Sequence, residues 1–79
     1  MKIELILYAS LRHYLPEQNG KNSCMVEVEE GTTIGRLLAK LQIPAEAAKI
    51  LFRNGVHVKG NEVLKDGDRV GAFPPVAGG

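Results

Sequence analysis

The sequence has one cysteine, no long apolar run and no cluster of basic residues, and each absence removes a class of function. A lone thiol, Cys24, cannot close an internal disulfide. With His13 and His57 far from it along the chain, no metal-ligand spacing can be read. Cys24 is expected to be a small buried apolar side chain. No stretch approaches the roughly 18 apolar residues of a membrane span. The amino terminus lacks the apolar segment and small-residue cleavage site of a signal peptide, so the expected location is cytoplasmic. Ten basic and nine acidic residues give a formal charge of +1. They are scattered, with no run to track a phosphate backbone, so nucleic acid is not an expected partner. Nothing matches a glycine-rich phosphate cradle ending in Lys-Ser or Lys-Thr. No cofactor is expected on this chain, and any ATP chemistry must come from another protein.

What is present suits one small domain. Chains of this length bury only about 60% of the surface exposed when unfolded, too little for two cores. Apolar residues make up 44% of the chain and charged ones 24%, which argues against wholesale disorder. Residues 2–9 place Ile3, Leu5 and Leu7 on one side and Glu4 and Tyr8 on the other, the period of a strand covered on one face. Ile6 breaks the polar side and marks a well-covered central strand. Ser10 is a candidate cap for a short helical turn through Leu11–Leu15, which Pro16 stops. Residues 17–23 read as a loop, and Cys24, Val26 and Val28 alternate as a second, antiparallel strand.

Thr32 or Thr33 can cap a helix whose Ile34, Leu37, Leu38 and Leu41 form one apolar stripe. Gly35 weakens it by about 1 kcal/mol relative to alanine. The helix must end before Pro44, and residues 45–49 leave room for one more helical turn. Asn54-Gly55 between Ile50–Arg53 and Val56–Val58 predicts a hairpin with a type I′ turn. Leu64 reads as a core plug, and Asp66-Gly67-Asp68 reverses the chain into Arg69–Phe73. The order of elements predicts an α+β fold of the β-grasp, ubiquitin-like kind, a mixed sheet of four to five strands wrapped on one main helix. Its first and last strands run parallel in the centre. The expected division is a domain over 1–73 and a free, flexible carboxyl-terminal tail over 74–79.

That tail, Phe73-Pro74-Pro75-Val76-Ala77-Gly78-Gly79, is hard to explain by folding. At average glycine usage, two closing glycines arise by chance about 0.5% of the time, so a frayed end is the weaker explanation. Pro-Pro favours an extended course away from the domain, and Gly-Gly puts no side chain in the way of a narrow channel. Five or six extended residues reach roughly 17 to 20 Å, enough to carry a carboxylate into another protein's active site. A bare carboxylate is a poor electrophile. The chemistry to expect is activation of Gly79 to an acyl-adenylate by an ATP-using enzyme, followed by attack of a sulfur donor. Gly78 and Gly79 are the candidate reacting end. Phe73, Pro74, Pro75, Val76 and Ala77 are candidate partner-binding residues, although Phe73 suits the core equally well. No catalytic pairing is readable at His13 or His57, and Asp66 and Asp68 suit turn formation better than metal binding.

These features resemble the MoaD/ThiS family of ubiquitin-like sulfur carriers, and within it the small subunits of molybdopterin synthase. The resembling residues are Ala9-Ser10-Leu11-Arg12, Asn54-Gly55, the run Leu64-x-Asp66-Gly67-Asp68-x-Val70 and, most specifically, the tail. Gly71-Ala72 departs from the family, whose molybdopterin-type members often show a bulkier pair. The stretch from Leu41 to Leu51 is short. The resemblance implies that Gly79 is adenylated by a ubiquitin-activating-like adenylyltransferase, converted to a thiocarboxylate and inserted into a large synthase subunit or another sulfur acceptor. Such a chain is not an enzyme on its own but the sulfur-carrying partner of one, here in molybdenum or tungsten cofactor assembly. Three alternatives share much of the sequence: a ubiquitin-like modifier conjugated through Gly79, a carrier for thiamine or another sulfur pathway, and a β-grasp interaction module.

Overall fold

Ile3, Leu5 and Leu7 form the fully covered side of strand β1 (Lys2–Leu7) in the computed structural model, which describes residues 1–75. Strand β2 (Ser23–Glu27) returns antiparallel to it, with Leu5 opposite Cys24 and Ile3 opposite Val26 on the buried face. Between them lies a 3-10 helix, Ala9–Tyr14, rather than a turn capped by Ser10. Tyr8 occupies the cap position and no side chain caps this helix. Ala9 itself, at φ 53°, turns the chain out of the strand. The backbone kink therefore begins one residue too early for the Ser10 hydroxyl to serve as a cap.

Helix α1 (Ile34–Lys40) starts at Thr33, whose Oγ1 accepts a hydrogen bond from the Arg36 N–H at 3.2 Å. That bond satisfies one of the donors left free by the first turn. Ile34, Leu37 and Leu38 are buried against the sheet, while Leu41 sits at the helix end and packs partly exposed on the core. Gly35 is explained by close approach. Its N–H donates to the Gly60 carbonyl at 2.8 Å, and a Cβ there would lie 3.3 Å from that oxygen. A second 3-10 turn, Ala45–Ala47, leads into β3 (Ile50–Arg53).

Asn54 and Gly55 have φ of 53° and 82°, the positive pair a type I′ turn requires, and β3 folds back antiparallel on β4 (Val56–Val58). Leu64 is buried beneath the loop that follows. Strand β5 (Arg69–Phe73) then pairs parallel with β1 and antiparallel with β3. The sheet has five strands in the order β2-β1-β5-β3-β4, which is the β-grasp arrangement, and its last strand is the central one. The inward positions of β1 and β5 are buried, and because β5 is the central strand the chain leaves the sheet at its middle. Among the described residues no helix is long and apolar enough to cross a membrane.

Candidate functional site

Alternation along β5 sends Val70 and Ala72 into the core and leaves Arg69, Gly71 and Phe73 on the opposite face of the sheet. Phe73 is the last strand residue and the root of the tail. It is half-buried on the outer face, so it belongs to the surface side of the sheet and not to the core beneath the helix. Its ring stacks on Tyr8 with centroids 4.0 Å apart and meets Phe52 edge-on at 5.8 Å. Tyr8 also donates its backbone N–H to the Ala72 carbonyl at 3.1 Å, which holds the two chain segments in step. His57 continues the aromatic row, 5.5 Å from Phe52, and His13 lies away from it beside Tyr14.

Gly71 lies between Ile6 of β1 and Phe52 of β3 in the register of the sheet. With no side chain there, the face dips into a cavity of about 300 Å³ walled by Ile6, Tyr8, Phe52 and Phe73. Arg69 stands at its rim, its Nε donating to Glu4 Oε1 at 2.8 Å. Pro74 and Pro75 follow directly, Pro75 exposed. The other candidate residues, Val76, Ala77, Gly78 and Gly79, lie outside the described residues.

The hairpin and the last turn are tied to each other behind this face. Asn54 donates from Nδ2 to Asp68 Oδ1 at 3.0 Å and accepts at Oδ1 from the Arg69 N–H at 2.9 Å. Asp68 Oδ2 accepts from the Lys65 N–H, and Asp66 Oδ1 accepts from the Lys2 N–H. Burial pushes the Asp68 carboxyl up, but the Asn54 amide, the Lys65 N–H and the positive charges of Arg53 and Lys65 outweigh it and hold its pKa below the ordinary value. Asp68 thus closes its own turn, and Asp66 ties that turn to the start of β1. They fix where Arg69, and with it β5, begins.

A model of the ThiS family matches residues 6–79, nearly the entire chain and including its last residue. The chain belongs to the ThiS family. No curated protein sequence matches it significantly. Several solved structures do. SAMP1 from Haloferax volcanii is 27% identical, with all of both chains covered and a TM-score of 0.70. The Haloferax volcanii HVO 2177 protein is 28% identical over this whole chain and 87% of its own, with a TM-score of 0.78. A Pyrococcus furiosus protein assigned as molybdopterin converting factor, subunit 1, is 28% identical over 95% of this chain and 98% of its own, with a TM-score of 0.69. This ThiS-family chain is therefore a ubiquitin-like protein of the sulfur-carrier or modifier kind.

Sequence reasoning singled out Phe73 and the tail but missed Tyr8, Phe52, Gly71 and Arg69 as the surroundings of the tail's root. Ile6 was the available signal. An apolar residue on an outward position of a strand marks a side chain that something on that face covers, and the structure places Ile6, buried, in the wall of the aromatic cavity.

Proposed function

We propose that this ThiS-family chain is a cytoplasmic sulfur carrier that works through the carboxylate of Gly79. The observation that supports this best is topological: β5 is the central strand, and the sequence after Phe73 is Pro-Pro-Val-Ala-Gly-Gly. A tail rooted there starts beside the aromatic face, so one protein can grip the face and receive the tail together. Ordering such a tail costs about 1 to 2 kcal/mol per residue in backbone entropy, and a docked face can offset that cost.

In the proposed reaction the Gly79 carboxylate attacks the α-phosphorus of ATP on an activating adenylyltransferase, and pyrophosphate leaves. A sulfur donor at the sulfide level then attacks the acyl carbon and displaces AMP, leaving a terminal thiocarboxylate. The thiocarboxylate sulfur then attacks an electrophilic carbon of a substrate held by the acceptor enzyme and displaces its leaving group, and water cleaves the resulting thioester, which leaves the sulfur on the substrate and restores the Gly79 carboxylate. The likeness to a subunit of molybdopterin converting factor, at 28% identity over nearly both chains, favours delivery into molybdenum or tungsten cofactor synthesis, with a large synthase subunit as acceptor.

A second reading has its own support in the likeness to SAMP1, a small archaeal modifier protein, over the full length of both chains. A modifier uses the same acyl-adenylate but ends as an amide on another protein's lysine. Mixing the chain with the activating enzyme and labelled ATP tests both readings at their shared step. Pyrophosphate release that depends on Gly79 supports them, and release unaffected by its deletion sinks them. Accumulation of high-mass adducts in cells favours the modifier; their absence alongside a sulfur-loaded terminus favours the carrier.

A further inference from the structure

Glycine weakens the interior of a strand, yet Gly71 occupies the middle of the central one. Nothing in the fold asks for it. Gly71 is not among the residues with positive φ, and a Cβ would meet Tyr8 Cε2 at 3.5 Å and the Ile6 carbonyl at 4.0 Å, ordinary contact distances. Gly60, by contrast, has φ of 110° and would set a Cβ 3.1 Å from Leu51 Cδ1. What the missing side chain at position 71 does is keep open the cavity on the outer face.

We propose that Gly71 is a specificity-determining residue of the docking surface. The cavity it opens receives one projecting apolar side chain, of leucine or phenylalanine size, from the enzyme that takes the tail. A carboxylate beside that side chain pairs with Arg69. The proposal rests on the reading of the tail given above and names how its partner is chosen.

Three observations identify the occupant. Phe73 is both a wall of the cavity and the residue before Pro74, so a protein holding the tail lies against the cavity mouth. The volume, about 300 Å³, is at the bottom of the roughly 300 to 1,000 Å³ range of ligand pockets, and its walls are Ile6, Tyr8, Phe52 and Phe73, which suits one apolar side chain. Arg69 uses only Nε on Glu4 among the described residues, which leaves its two amino nitrogens free for a bidentate contact with a carboxylate. A related carrier with a larger residue at this position presents a filled face and is refused, since selectivity between partners comes as much from a clash as from a contact.

The test is steady-state adenylation by the activating enzyme of the same cells, read as pyrophosphate release while the carrier concentration is varied. Gly71→Val raises the KM for the carrier by about tenfold or more, the scale on which a one-side-chain pocket discriminates. The loss falls on KM rather than kcat. Gly71→Ala gives a smaller rise and unfolds at or above the wild-type temperature, because a strand residue has replaced a glycine and its Cβ meets only ordinary contacts. Arg69→Gln raises KM as well, and Glu4→Gln does not. An unchanged KM for Gly71→Val with native-like unfolding overturns the proposal; if that variant does not fold, an unchanged KM for Gly71→Ala together with Arg69→Gln does so. Deleting Gly78 and Gly79 reports separately on the tail, since turnover that survives this deletion defeats the carrier reading however the Gly71 variants behave. A wild-type chain that releases no pyrophosphate brings down both.

Discussion

Tyr8 and Phe73, near opposite ends of the chain, stack with ring centroids 4.0 Å apart and planes 3° from parallel. The contact joins the residue that follows β1 to the last residue of β5. A stacked aromatic pair is worth about 0.5 to 1.5 kcal/mol beyond its area burial. Tyr8→Leu, Phe73→Leu and the double variant, followed by urea unfolding, are expected to show a coupling energy of about that size. A coupling near zero removes the stack as an energetic element.

Asn54 carries a second relationship that can be taken apart. It needs positive φ for the hairpin turn and uses its amide on Asp68 and Arg69. Asn54→Gly keeps the turn and loses the amide, at an expected cost of about 1 to 3 kcal/mol because buried Asp68 is left short of a donor. Asn54→Ala loses both and costs about 1 to 2 kcal/mol more from left-handed strain. Equal stabilities for the two variants in chemical denaturation contradict this division.

Asp68 predicts acid sensitivity. Its folded pKa lies below the ordinary 3.8, so the folded state favours the carboxylate. The stability it contributes is fully present above about pH 5 and is lost as pH falls through the ordinary carboxylate range toward the folded value. Unfolding free energy measured from pH 6 down to pH 2.5 or so is expected to decline, and Asp68→Asn to flatten part of the slope. An unchanged slope in that variant assigns the acid sensitivity elsewhere.

Leu64 and Val63 are neighbours with opposite surroundings, the first almost wholly buried and the second 51% exposed. Leu64→Ala opens a cavity beneath the loop and is expected to cost about 2 to 5 kcal/mol. Val63→Ala, which trims a side chain already in water, stays within about 0.5 kcal/mol. Thermal melts of the two variants check the contrast.

Local chemistry explains which parts of this protein were legible in the sequence. Asn54-Gly55 announced its turn because so few residue pairs accept two positive φ angles, and Ile34, Leu37 and Leu38 announced the buried stripe of α1 by their spacing. The parallel pairing of β1 with β5 followed from the order of elements. Ser10 misled because hydroxyl residues favour caps in general, while here Ala9 takes the unusual φ and moves the start of the 3-10 helix upstream. The outer-face cavity was illegible for a different reason. It is made by Gly71 together with Ile6, Phe52 and Phe73, residues of three strands that only the register of the sheet brings side by side, and by Tyr8 just past the end of β1. No local pattern carries that information.

The group that does the proposed chemistry is the carboxylate of Gly79. Intact mass spectrometry after incubation with the activating enzyme, ATP and a sulfide source tests it directly, with fragmentation to locate any change. A sulfur carrier gains the mass that replaces one oxygen by sulfur, confined to Gly79 and absent from a variant lacking that residue. An unmodified terminus, under conditions that load an established carrier of the ThiS family with its own enzyme, would contradict the carrier reading.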